Sequence, residues 1–137
     1  MTNHFHFTDE EFANEFKNAT LPPSLFSHEA HLRLAWIYVK AYGIEQAVDM
    51  VKSQLINYVN HLGAVSKYNE TVTIAAVRAV YHFTLKSKSH NFKDFIDEFP
   101  RLKTNFKDIL GQHYGIDLFN SKMAKSSFLE PDLLPFD

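Results

Sequence analysis

Apolar residues recur at helical spacing through most of this chain, and the breakers between them mark out its elements. The central run is residues 26–42, FSHEAHLRLAWIYVKAY, with Ser27 placed as an N-cap and Gly43 as its stop. On a wheel of about 100° per residue, Glu29, Arg33 and Lys40 share one narrow wedge that is expected to face solvent. Leu32, Leu34, Ala35, Trp36, Ile37 and Val39 make the rest apolar. His28 and His31 lie about 60° apart near the middle of that apolar arc. Two imidazoles directed into a core are the unusual feature of the sequence.

The flanking segments read as helices too. Thr8 and Glu11 form a capping box that opens a short helix to about residue 19, with Phe12 and Phe16 on one edge. His4 and His6 precede it in a stretch expected to be loosely held, and no role falls to them. Residues 44–62 give an amphipathic scaffold helix with Ala47, Val48, Val51, Leu55, Tyr58, Val59 and Leu62 on one face. The next helix is expected over 66–86. Thr71, Arg78, His82 and Lys86 form its solvent wedge; Asn69, Glu70 and Thr73 fall within its buried arc. Shorter helices follow at 91–99, from Pro100 to 111, and at 121–128, and residues 130–135 run extended because proline resists helix. No strand-length alternation appears. The expected fold is all-α: one compact domain over 1–137, a bundle of about five to six helices with an extended, proline-containing C-terminal tail.

Composition narrows the function classes. The 137 residues suit one domain, and the apolar (45%) and charged (22%) shares are those of a globular protein. No apolar run approaches a bilayer span and no leader pattern opens the chain, so no membrane role is expected and the cytoplasm is the expected location. Net charge is −2 with scattered Lys and Arg, which argues against nucleic acid as a partner. There is no cysteine, so any metal would rest on His, Asp, Glu and amide or backbone oxygen. Thirteen Phe and six Tyr imply a bulky core, or else an aromatic face for a partner.

Three functional readings are open at this point. In the first, His28 and His31 are neutral nitrogen ligands of a divalent ion (Zn, Mn, Fe or Ni), and Glu70 is a further ligand or the general base. Thr73 would orient them. The His-x-x-His spacing is not that of the His-Glu-x-x-His zinc proteases, and Glu29 lies on the solvent wedge, so the protease reading is rejected. In the second, the same inward groups bind a small molecule without metal, with Asn69, Thr73, Tyr38, Tyr42 and Tyr81 as binding residues. In the third, the polar cluster is a packing device and the aromatic surface pairs two copies into a homodimer.

The segments FSHEAHLRLAW, KYNETVT and EPDLLP, in that order, resemble a family of small bacterial all-helical proteins. That family shows H-x-x-H-L-x-x-A-W, Y-H-E-T-x-T and P-D-L-x-P. The resemblance spans nearly the whole chain and implies a helical fold with His28, His31, Trp36, Tyr68, Glu70, Thr71 and Thr73 at shared positions; it implies no activity. Asn69 stands where the family has histidine, which weakens any metal site at that point.

Overall fold

The computed structural model describes residues 3–136, and among these it is all-helical with no strand. Eight α-helices follow one another: α1 (Asp9–Lys17), α2 (His28–Tyr42), α3 (Ile44–His61), α4 (Glu70–Thr84), α5 (Phe92–Glu98), α6 (Arg101–Thr104), α7 (Phe106–Gly111) and α8 (Lys122–Ser126). Five of them have seven or more residues. Short 3-10 turns stand at His4–His6, Pro23–Leu25, Val65–Lys67 and Leu118–Asn120.

Local chemistry accounts for most boundaries. Thr8 and Glu11 make the reciprocal capping box at the start of α1. Ser27 accepts the Ala30 N–H at 3.2 Å and starts α2. Gly43 alone joins α2 to α3, with φ +84°, a conformation that favours glycine. The helix expected from residue 66 begins later. Asn69 is extended and caps α4 through Val72 N–H, so residues 65–67 form a separate turn. The run from Pro100 divides at Asn105, whose non-helical backbone (φ −132°, ψ 36°) separates α6 from α7.

Helices α2, α3 and α4 pack pairwise and form the centre, and α1 and α5 to α8 surround them. Trp36 is buried against Phe92 and Phe95 of α5. Both wedges expected to face solvent are in fact partly covered. On α2, Arg33 is only 4% exposed: its guanidinium donates to the carbonyls of His4 and Phe7 and, from Nε (3.1 Å) and Nη2 (2.9 Å), to Asp9 Oδ1. It also lies over the rings of Phe5 and Phe12. Glu29 accepts from His4 Nε2 at 2.7 Å and pairs with Lys103. His4 is therefore a buried residue of the fold and not part of a loose end.

On α4 the covering segment is the C-terminal one. Thr71 is fully buried; its hydroxyl donates to Ser127 O and accepts from Leu129 N–H. Tyr114 donates to Leu129 O, Gly115 N–H to Asp132, and Leu133 N–H to His113 O. The EPDLLP segment is thus a strap with its own hydrogen bonds. No helix among the described residues is long and apolar enough to cross a membrane.

Candidate functional site: a cavity at two helix N-termini

Each central helix contributes one stripe at helical spacing to a shared cavity of about 320 Å³. From α2 come His28, His31, Leu32 and Ala35; from α3, Val51, Leu55, Tyr58, Val59 and Leu62; from α4, Val72, Thr73, Ala76 and Val77. Phe26, Lys67, Tyr68, Asn69 and Phe106 complete the polar end and its rim. Alanines at 35 and 76 stand at interfacial positions where a larger side chain would occupy this space.

The two helix starts are built alike. In α2 the residue before the N-cap, Phe26, meets the fourth helical residue, His31, with ring centroids 3.9 Å apart. That is the geometry of a hydrophobic staple. In α4 the corresponding pair is Tyr68 and Thr73. All four residues line the cavity. Phe16, Phe26 and Tyr58 form an aromatic wall beside His31, and the Tyr58 hydroxyl is fixed on Leu21 O at 2.7 Å.

The polar groups divide into committed and free. His28 Nε2 lies 3.1 Å from Leu102 O; a carbonyl only accepts, so Nε2 carries the proton and Nδ1 is the unprotonated nitrogen of the neutral ring. Asn69 accepts from Val72 N–H and donates to Leu118 O at 2.9 Å, so both ends of its amide are engaged. The Thr73 hydroxyl donates to Asn69 O at 2.7 Å. The Tyr68 hydroxyl donates to Glu70, and burial followed by that carboxylate pushes it well above its ordinary value. His31 makes no hydrogen bond with any described residue. Its ring lines the cavity among many protein atoms, and the residue keeps a large accessible surface there. Burial, and secondarily the neighbouring His28, lower its pKa from 6.5 to about 4. It is neutral near neutrality.

The expected convergence of His28, His31 and Glu70 is not what the fold produces. Both histidines reach the cavity, but Glu70 does not line it. Its carboxylate takes the Tyr68 hydroxyl and the Lys52 ammonium, the latter at 2.8 Å. Burial opposes its ionisation, but the Lys52 and Tyr68 hydrogen bonds and the Lys52 charge outweigh it and hold its pKa below the ordinary value. Among the described residues no group of three or more His, Asp or Glu is placed to hold a metal ion. Glu70 is committed to Tyr68 and Lys52 and stands apart from the two histidines on the cavity wall. The three tyrosines are elsewhere as well. Tyr38 is buried and donates to Gln54, Tyr42 is 52% exposed, and Tyr81 lines a separate shallow depression with Arg78.

Sequence reasoning passed over Phe26 and Lys67 and gave Tyr68 no binding role. The staple positions on either side of Ser27 and Asn69 carried the signal for Phe26 and Tyr68. Compared with family models, curated proteins and solved structures, the chain matches none.

Two expected results follow from this geometry. Asn69→Ala removes a cap and leaves Leu118 O without its donor, so urea unfolding should show a loss of about 2–3 kcal/mol. Asn69→Asp keeps the cap and should lose about half as much. The second concerns acid. An imidazole whose pKa is depressed in the fold is protonated first in the unfolded chain, so its contribution is intact above about 6.5 and declines as pH falls toward about 4. Because water reaches the ring through the cavity, the expected size is only roughly 1–2 kcal/mol. Wild type should lose that much more than His31→Gln over this window in pH-dependent melts. His4, also lowered by burial, is common to both proteins and cancels.

Proposed function

We propose that this protein is a binding module for a small, largely apolar molecule held between α2, α3 and α4. The observation that carries this is His31: an imidazole without a hydrogen-bond partner among the described residues, set on the wall of an otherwise mostly apolar cavity of about 320 Å³ and accessible through it. A packing device would leave its polar groups paired with protein partners, as Asn69, Thr73 and Tyr68 are. His31 is not. A few convergent polar groups on an apolar wall of this volume are the ordinary constitution of a ligand pocket.

In this reading the five longer helices form one bundle, the segment around residues 127–136 ties it shut, and the cysteine-free chain suits the cytoplasm. The shared residues of the resembling family fall into three roles: His28, His31, Tyr68 and Thr73 line the cavity, Glu70 anchors Tyr68, and Trp36 and Thr71 hold the surrounding layers.

The test uses 1-octanol as an apolar probe with one hydroxyl. Calorimetry should show saturable binding at one site, and a probe concentration a hundredfold above Kd should stabilise the fold by about 2.7 kcal/mol. No saturable heat and no shift in melting temperature would count against the proposal.

A further inference from the structure

The unused hydrogen-bonding capacity of the cavity selects a charge. Among the described residues, none that lines it is Asp or Glu. Asn69, Thr73, Tyr68 and His28 Nε2 are committed to protein partners. What remains is the His31 ring, the Nδ1 edge of His28 and, at the rim, the Lys67 ammonium. Every one of these is a cation or becomes one by taking a proton. A cationic ligand would find no counter-charge, whereas an anionic one finds one ammonium, Lys67, and two imidazoles that can take up a proton.

The backbone acts in the same sense. His28 and His31 sit in the first turn of α2, a helix of 15 residues, and Tyr68 and Asn69 at the start of α4, also 15 residues. Both helices direct their positive ends to this part of the cavity. The independent observation is the cavity itself, with the His31 ring on its wall and no hydrogen-bond partner for that ring among the described residues. The remaining walls are aliphatic and aromatic, which excludes a multiply charged ligand on desolvation grounds and leaves room for an apolar body.

We propose that the ligand of this cavity is a monocarboxylic acid with an apolar body, its carboxylate on His31 and its chain along α3 and α4. This rests on the ligand-binding reading of the same cavity. Binding takes up a proton from solvent, which resides between the carboxylate and the His31 imidazole; no covalent bond changes. Without an anion beside it burial holds His31 neutral, and the arriving carboxylate favours the charged ring. The titratable groups around His31 are His28 from α2, Tyr58 from α3, and Lys67 and Tyr68 before α4. Glu70 and Lys52 are paired with each other behind Tyr68. On the far side of His28 lie Lys103, Lys107 and Asp108. No carboxylate in this set lies on the cavity wall to compete for the His31 proton.

The experiment is calorimetry of the full chain with octanoate, 1-octanol and octylammonium at about pH 6 and about pH 8, each in two buffers of different ionisation enthalpy. Octanoate should bind at least about tenfold tighter than octanol at the lower pH, with uptake of close to one proton, and octylammonium weakest. In His31→Phe and His31→Gln, both checked for a wild-type melting profile, octanoate should lose its preference over octanol and its pH dependence. Octanol binding as tightly as octanoate, or octanoate binding without proton uptake, would overturn the carboxylic-acid assignment and leave the cavity-binding proposal standing. Failure of all three probes to bind wild type would overturn both.

Discussion

Arg33→Ala should be the most destabilising single substitution in the N-terminal half, lowering stability by about 3–5 kcal/mol in urea unfolding. Among the described residues the guanidinium is the only donor to Phe7 O, it is a second donor to His4 O beside the Phe7 N–H, and it fixes Asp9 across a separation of 24 residues. Removing it leaves Phe7 O without a donor, at about 1–3 kcal/mol, strips the Asp9 carboxylate of its partner, and takes a packed plane from over Phe12. Arg33→Lys should recover only a minor part, since an ammonium cannot bridge the same fork of acceptors. Limited proteolysis should then cut within residues 3–8 of the variant well before wild type. A loss under about 1 kcal/mol would mean that the N-terminal segment is held by other contacts.

What the sequence made legible was local. Thr8, Ser27, Asn91 and Gly43 sit at real helix boundaries, because a cap and its N–H partner are three residues apart and need no knowledge of the fold. That His28, His31, Asn69 and Thr73 border one cavity follows from the same periodicity, although both histidines keep exposed surface. The errors are non-local. Arg33 and Thr71 were placed on solvent wedges because a wheel ranks faces by polarity. In the fold their partners, Asp9 and Ser127, arrive from segments 24 and 56 residues away. Polar residues can be buried when a second layer brings complementary groups, and a single-helix argument has no term for that layer. Glu70 failed for a related reason. At the first helical position its side chain can swing toward a neighbouring helix, and Lys52 of α3 offers a stronger partner than the cavity does. Tyr38, Tyr42 and Tyr81 share a residue type without a positional argument: the first two are in ring contact (centroids 6.2 Å), Tyr81 lies apart, and none lines the cavity.

Ala76→Phe should abolish probe binding altogether, a reduction in affinity of at least about a hundredfold. Position 76 lies one turn beyond Thr73 and Val72 on the same stripe of α4 and borders the cavity directly. A benzyl side chain there occupies space that the account assigns to ligand. Because it fills a void instead of displacing packed atoms, the fold should tolerate it within about 1 kcal/mol, in contrast to the 1–3 kcal/mol typical of overpacking a filled core. Tight packing already present at this position would reveal itself as a clear loss of stability, and the cavity would then be too small to hold a ligand of this size.

The most direct measurement is a set of intermolecular nuclear Overhauser effects between a bound aliphatic probe and side-chain protons of the protein. The account predicts contacts from 1-octanol to the Phe26 and His31 rings, the Thr73 and Val72 methyls and Leu55, all absent in Ala76→Phe. Contacts confined to the depression around Ile44, Tyr81 and Pro135, or signals unchanged by Ala76→Phe, would contradict it.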